Sequence, residues 1–207
     1  MPPSKVQRDR SREAILNAAG RLFRKHGYDG IGIDGIMTSA GLTRGAFYAH
    51  FPSKAALFAA VVSEDNAFLA RLRARGATDA AGLRHEAQAI AAYYLEPANR
   101  ERIGEICTLS AVNQDTARSG EALRHAFGEA FARIAAEFDR LEPGERSSGR
   151  PSDEALLIVT LAIGSHALSR AMDGHPIADR IQRLAGERIQ ALIAGLGMAI
   201  GAADAAE

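Results

Sequence analysis

The stretch from Gly41 to Lys54, GLTRGAFYAHFPSK, contains a glycine near the start of a short helical pattern and four ring residues within two turns. Phe47 and Phe51 are four residues apart, so on a helix they share one face, which is suited to a hydrophobic core. Arg44 and Tyr48 have the same spacing and share a second face. Burial explains the first face, and the second face remains available for a function.

The residues around this stretch predict a helix-turn-helix. Apolar spacing predicts a short helix over Ile33–Ala40 that ends at Gly41. Thr43 is a good N-cap for the next helix, Arg44–His50, which Pro52 closes. In this motif the second helix enters the major groove of DNA.

Two further features of the second helix suit a nucleic acid. Gly45 costs helix stability relative to alanine, but its missing Cβ lets the backbone come close to a base or a phosphate. Backbone amides at this helix start, and at the next one near Lys54, can donate to phosphate oxygens, and Lys54 adds a positive charge.

The sequence GYDGIGIDGIMTSAGLTRGAFYAHFPSKAALFAAVV, residues 27–62, resembles the DNA-binding region of the TetR family of transcriptional repressors. The specific match covers about residues 10–62, and the order and length of the remaining helices also suit that family. The resemblance implies that Thr43, Arg44 and Gly45 lie at the groove and that Tyr48 contacts a base or a phosphate. It further implies that His50 and Lys54 hold the phosphate backbone.

The chain departs from the family pattern in the first helix of the motif. Ile31 and Gly32 stand where relatives often have a Ser or Thr that reaches phosphate, and Gly35 and Met37 replace the usual acid and alanine. Thr38 and Ser39 are the candidate substitutes for a phosphate contact from this helix.

Each contact residue has a structural alternative. Tyr48 could pack with only its hydroxyl exposed, and His50 could cap a helix end. Arg44 and Lys54 could be ordinary solvated charges.

Charge is divided unevenly along the chain. The net charge is zero, but residues 1–75 hold 12 basic and 6 acidic side chains, whereas residues 76–207 hold 13 and 19. A basic front and an acidic rear are typical of a polyanion-binding module attached to a regulatory body, although chance surface charge is the alternative.

Composition predicts an all-α chain of about nine helices. Ala, Leu, Arg and Glu are abundant and only seven prolines occur. The helices are expected at residues 9–26, 33–40, 44–50, 54–75, 79–95, 99–115, 119–141, 153–172 and 176–199, with an irregular loop over Glu142–Ser152. We expect a helix-turn-helix domain at residues 1–53 and a helical regulatory and dimerisation domain at residues 54–207, joined by the connector helix Lys54–Arg75.

The last two predicted helices, residues 153–172 and 176–199, form the expected homodimer interface. The first is apolar nearly all round, and its small residues, Gly164 among them, permit close approach. A helix that is apolar on two faces covers one with its own domain and the other with a partner. A central helix of a monomer is the alternative.

Residues 79–141 are expected to form most of a pocket for a small-molecule effector, which the resemblance implies. The candidate pocket residues combine apolar walls with polar tips: Tyr93, Tyr94, Cys107, Phe127, Phe131 and His166. Ordinary core packing is the alternative for the phenylalanines, for Cys107, which could otherwise sense redox state, and for His166.

The sequence contains no pattern typical of catalysis or metal binding. Gly30–Gly35 matches G-x-G-x-x-G, but a helical pattern precedes it and no acid follows at the required distance, so we do not predict a dinucleotide site. The histidines lack metal-ligand spacing, and no nucleophile motif or carboxylate pair stands out. We therefore expect no cofactor, metal or enzymatic activity.

These observations predict a ligand-responsive repressor that binds a palindromic double-stranded DNA operator and is released by a small molecule. The N-terminus MPPSKVQRDR lacks the apolar segment of a signal peptide, and no span suits a bilayer, so we expect a cytoplasmic protein without membrane contact. The alternatives are an all-helical ligand-binding or enzymatic protein with an incidental helix-turn-helix, and a dimeric interaction protein that binds no operator.

Overall fold

The protein is all-α throughout the part that the computed structural model describes, which is residues 4–64, 67–100, 102, 107–141 and 150–196. This confirms the predicted fold class. The α-helices, numbered in chain order, are α1 Lys5–His26, α2 Ile33–Ser39, α3 Arg44–Phe47, α4 Lys54–Glu64, α5 Ala67–Arg73, α6 Ala80–Tyr94, α7 Thr108–Ala117, α8 Glu121–Phe138, α9 Asp153–Ala171 and α10 Pro176–Gly195. A 3₁₀ turn covers Pro97–Arg100.

Some helix bounds differ from the sequence expectation. The helix expected at 54–75 is described as α4 and α5, on either side of residues 65 and 66. The start of a helix at residue 99 is wrong, because Pro97–Arg100 is a 3₁₀ turn and Cys107 is the non-helical N-cap of α7. Most of the expected loop, residues 142–149, and the end of the last helix, residues 197–199, lie outside the described residues.

The first of two compact units comprises Met1–Asn66 and Ile103–Phe127. Helix α1 packs against α2, α4 and α7. Buried Arg24 in α1 donates a hydrogen bond from Nη1 to Oγ1 of Thr108 at 2.8 Å. The core of this unit consists of fully buried side chains: Ile15, Ala19, Phe23, Ile36, Phe47, Leu57, Phe58, Val61, Leu109 and Val112. The functional boundary expected after Ser53 stays a prediction.

The second unit comprises Ala67–Arg102 and Gly128–Glu207. Helix α10 packs against both α9 and α6. Gly174, with φ of 79°, turns the chain between α9 and α10, and Pro176 starts α10. Such a short connection makes the two helices a hairpin.

Helix α9 is unusually apolar. Its length and mean hydropathy of 1.2 would let it cross a membrane by composition alone, and core helices of soluble proteins pass the same test. It buries one side within its own unit, where Ile158, Val159 and Ala162 are at most 2% exposed. Leu157 and Leu168 are 51% and 55% exposed, so the helix also has an uncovered apolar side.

Candidate nucleic-acid interface

A tight turn joins α2 to α3. Gly41 has φ of 69°, a left-handed conformation that favours glycine. Its amide donates to the Thr38 carbonyl at 3.1 Å, and the amide of Leu42 donates to the Met37 carbonyl at 2.9 Å. These bonds end α2 and set the direction in which α3 begins.

The two faces expected for α3 differ in their exposure to solvent. Phe47 and Phe51 are 0% and 4% exposed, whereas Tyr48 is 56% exposed and meets Phe47 edge-on at a centroid distance of 5.2 Å. Thr43, Arg44 and Gly45 are exposed as well. Helix α3 is shorter than expected, because the Phe47 carbonyl accepts from both His50 and Phe51 and the helix ends in a turn. The face that holds Arg44 and Tyr48 is therefore accessible.

Arg44 forms an ion pair that the sequence analysis missed. Its Nη1 lies 2.6 Å from Oδ2 of Asp34 in the first turn of α2. The two side chains are 62% and 67% exposed. Thr38, also in α2, is exposed.

Lys54 is held by an aromatic ring. Its Nζ lies 4.2 Å from the centroid of Tyr28, a cation–π contact. The Tyr28 ring packs against Phe58 at 4.9 Å, and the Tyr28 amide donates to Oδ2 of Asp115 in α7 at 3.1 Å. Tyr28 thus fixes Lys54 at the start of α4. His50, in the turn that follows α3, is half-buried.

Helix α1 is tied to the end of α4. Arg12 donates from Nη1 and Nη2 to the two oxygens of Glu64 at 2.9 and 2.6 Å, and its guanidinium lies over the Phe51 ring at 5.4 Å. The hydrogen bond from Arg12 lowers the pKa of the Glu64 carboxyl group and raises that of Arg12. A bidentate pair fixes geometry as well as charge.

Gly45 offers a test that separates folding from binding. A Cβ built there meets no heavy atom of the described residues within 4 Å, so their packing does not require glycine. Replacing Gly45 with alanine should raise the free energy of unfolding by up to about 1 kcal/mol, because alanine is the better helix former. The same change should weaken DNA binding if the backbone approaches a base or phosphate.

Denaturant unfolding and fluorescence anisotropy measure the two effects of Gly45→Ala. Gly41→Ala is the matched control, since its positive φ makes alanine destabilising by about 1 kcal/mol or more. Increased stability with unchanged DNA affinity would contradict a close approach at Gly45.

The candidate effector-pocket residues are divided between the two compact units. Cys107, which is buried, and Phe127 belong to the first unit, whereas the other four belong to the second. Within the second unit, the rings of Tyr94 and His166 lie 5.1 Å apart, and Phe68 meets Tyr94 at 4.9 Å. The remaining two candidates are more accessible: Tyr93 is 39% exposed under Arg71, and Phe131 is half-buried.

His166 is the most constrained of these residues. It is 0% exposed, and neither ring nitrogen has a hydrogen-bond partner among the described residues. Burial, assisted by the positive charges of Arg170 and Arg100, lowers the pKa of His166 from 6.5 to about 4. The imidazole is therefore neutral at pH 7 and can donate from one nitrogen and accept at the other.

The buried imidazole makes stability depend on pH. Between about pH 6.5 and pH 4 the unfolded state binds a proton that native His166 does not, so stability falls as the pH falls through this range. This residue should account for up to about 3 kcal/mol of the loss. In urea unfolding at several pH values, His166→Leu should show a flatter profile than the wild type. Exposed His85→Leu is the control, and an unchanged profile in His166→Leu would contradict the buried neutral state.

Among the described residues, no group of three or more His, Cys, Asp or Glu side chains is placed to hold a metal ion. Gly32 of the G-x-G-x-x-G match is the N-cap of the seven-residue α2, as expected for a connection and unlike a dinucleotide site.

Comparison with known proteins places these features in context. Residues 15–61 match the family model described as bacterial regulatory proteins, tetR family. The transcriptional repressor AcnR of Corynebacterium efficiens is 42% identical over 60 residues, 29% of this chain and 32% of the relative. The transcriptional regulator LmrA of Bacillus subtilis is 50% identical over 42 residues, 20% and 22% of the two chains. The chain thus matches a third or less of these curated relatives' length.

The likeness in fold extends much further than the likeness in sequence. A crystal structure of a TetR-family transcriptional regulator from Cytophaga hutchinsonii superposes with a TM-score of 0.63 at 18% identity. The alignment covers 95% of this chain and 98% of that one. The sequence similarity is concentrated in the helix-turn-helix, and the helices beyond it share the architecture.

Proposed function

We propose that this chain is a transcriptional repressor of the tetR family of bacterial regulatory proteins and that it binds an inverted-repeat operator as a homodimer. The exposed face of α3 is the observation that carries the proposal, because Arg44 and Tyr48 point outward over buried Phe47. Thr43 and Gly45 complete the proposed groove-facing surface. A helix that enters the major groove requires an exposed surface of this kind.

The remaining contacts of the proposed interface are to phosphate. Lys54, steadied by the Tyr28 ring, supplies a positive charge at the start of α4. His50, four residues before Lys54, and Thr38 in α2 are the other proposed phosphate contacts. Phosphate contacts of this kind fix the register of the protein on the duplex and carry no sequence information themselves.

The hairpin of α9 and α10 is the proposed dimer interface. Four of its large apolar side chains are 44% to 55% exposed: Leu157, Leu168, Ile177 and Leu184. A groove of about 420 Å³ lies along the contact between the two helices, lined by Gly164, Leu168 and Leu184 among others. A Cβ at Gly164 would meet no atom of the described residues within 4 Å, so this position can admit a partner helix closely. An isologous contact of this face with its copy would cover these residues.

The effector site is proposed at Tyr94 and His166. A buried imidazole without a hydrogen-bond partner among the described residues is costly, and a ligand with an apolar body and one polar group would satisfy it. Binding would lower operator affinity only as far as the ligand prefers the non-binding form of the dimer. The relatives are named as transcriptional regulators, which supports a regulatory role over an enzymatic one. The proposed location is the bacterial cytoplasm.

The direct test is selection of DNA by the full-length protein. Random duplexes of about 30 base pairs are enriched by repeated binding and elution, and the enriched pool is sequenced. An inverted repeat with half-sites one helical turn apart, or a multiple of it, is the expected product. A pool that never departs from random sequence would contradict operator binding.

A further inference from the structure

The ion pair between Asp34 and Arg44 connects the two helices of the helix-turn-helix on its outer surface. Only Nη1 of the guanidinium bonds to the carboxylate, at 2.6 Å. Arginine has five donors, and Nε and Nη2 of Arg44 have no partner among the described residues, so they remain to form a parallel pair of hydrogen bonds. That edge has the geometry that recognises O6 and N7 of guanine.

A contribution to folding stability does not explain the ion pair between Asp34 and Arg44. Both side chains are more than 60% exposed, and ion pairs at such positions contribute little to stability. Asp34 also places a negative charge on the surface that is proposed to face DNA, where it repels phosphates. An acid at this place therefore costs binding energy unless it improves the selection of sequence.

An exposed arginine without such a partner binds any phosphate within its reach. A carboxylate bonded to Nη1 competes with phosphate oxygens for the guanidinium and limits the directions in which the side chain can extend. Binding of a base edge by Nε and Nη2 does not require the hydrogen bond between Nη1 and the carboxylate to break.

We propose that Asp34 is a positioning residue that makes Arg44 selective, holding its guanidinium for a base edge and disfavouring phosphate. Asp34 thereby raises the ratio of operator affinity to non-specific affinity while lowering non-specific affinity itself. This inference rests on the proposed function, since it assigns a role within the same DNA-binding surface.

The test compares Asp34→Asn with the wild type on two duplexes: the inverted repeat enriched by the wild type, and a scrambled duplex of the same composition. Asp34→Asn should bind the scrambled duplex about threefold to tenfold more tightly, and the ratio of the two affinities should fall about tenfold. The slope of log affinity against log salt on scrambled DNA should steepen by about 0.9 per protomer, the value for one added phosphate contact.

Three further variants isolate the role of the pair. In an Arg44→Ala background, Asp34→Asn should leave the affinity ratio unchanged, because the residue acts through Arg44. Glu13→Gln removes the same charge from an exposed position of α1 and measures the general electrostatic effect. Asp34→Glu keeps the carboxylate and should restore most of the selectivity, and thermal unfolding of each variant confirms that it is folded.

The outcomes distinguish this inference from the proposed function. An equal gain on both duplexes, or the same loss of selectivity without Arg44, would overturn the positioning role and leave operator binding intact. A wild type that prefers neither duplex would overturn operator binding itself.

Discussion

Replacing both Arg44 and Tyr48 with alanine should abolish the preference for the operator while leaving the protein folded. Each specific contact to a base edge contributes about 1–3 kcal/mol, and a dimer makes each contact twice. Loss of one such contact per protomer should therefore reduce operator affinity by at least about 30-fold, and the double variant should bind operator and scrambled DNA alike.

The cost of these changes to folding should be small. Within the described part of the chain, the one interaction of the Arg44 side chain is an exposed ion pair, worth about 1 kcal/mol or less. Tyr48 has an edge contact with Phe47, worth about 0.5–1.5 kcal/mol. Circular dichroism melts should show a modest shift at most. Phe47→Ala is the contrasting variant: its fully buried ring should cost about 3–5 kcal/mol and reduce binding through unfolding.

Fluorescence anisotropy with a labelled duplex measures the affinities. Arg21→Ala is the matched control, because it removes an exposed arginine of α1 from the same compact unit without touching α3. Arg21→Ala should lose only the general electrostatic contribution of one positive charge to DNA affinity, and its preference for the operator should persist. Operator affinity that is unchanged in both Arg44→Ala and Tyr48→Ala would contradict the assignment of this face to DNA.

The residues that the sequence predicted well are those whose placement depends on local spacing. Phe47 and Phe51 are four apart, and helical geometry alone puts them on one side. Gly41 marks the turn, because a left-handed backbone conformation favours glycine. The resemblance to the TetR family, confirmed by comparison, depends on the same local pattern.

Contacts between distant elements were beyond sequence reasoning. The bond from Arg24 to Thr108 joins residues 84 positions apart, and Asp115 reaches the amide of Tyr28 across 87. Thr108 and Asp115 belong to no motif, so no spacing rule could pair them with Arg24 and Tyr28. The Arg44 partner, Asp34, lies ten residues away across the turn, and the conformation of that turn decides whether the two meet.

The effector-pocket candidates illustrate a different limit. Tyr94 and Cys107 are candidates because they combine apolar surface with a polar tip, but composition carries no information on which elements pack together. The structure places them in separate compact units and brings His166 to Tyr94.

Placing a charge at the centre of the α9–α10 face should separate the dimer and remove operator binding without any change near α3. Leu168 and Leu184 are 55% and 48% exposed in the single chain, so glutamate at either position costs little in the monomer. In a two-fold interface each substitution occurs twice, and burying unpaired carboxylates costs several kcal/mol. Leu168→Glu combined with Leu184→Glu should therefore be monomeric.

Loss of the proposed dimer should have a large effect on DNA binding, because each protomer would then bind a single half-site. The second half-site contributes as an intramolecular step only when the two recognition helices are joined. Sedimentation velocity should give the molar mass of one chain, and anisotropy should show affinity reduced by about 100-fold or more. Val6→Glu, an exposed apolar residue of α1 at 61%, is the control for oligomeric state. A dimer that survives both leucine substitutions would show that another surface joins the protomers.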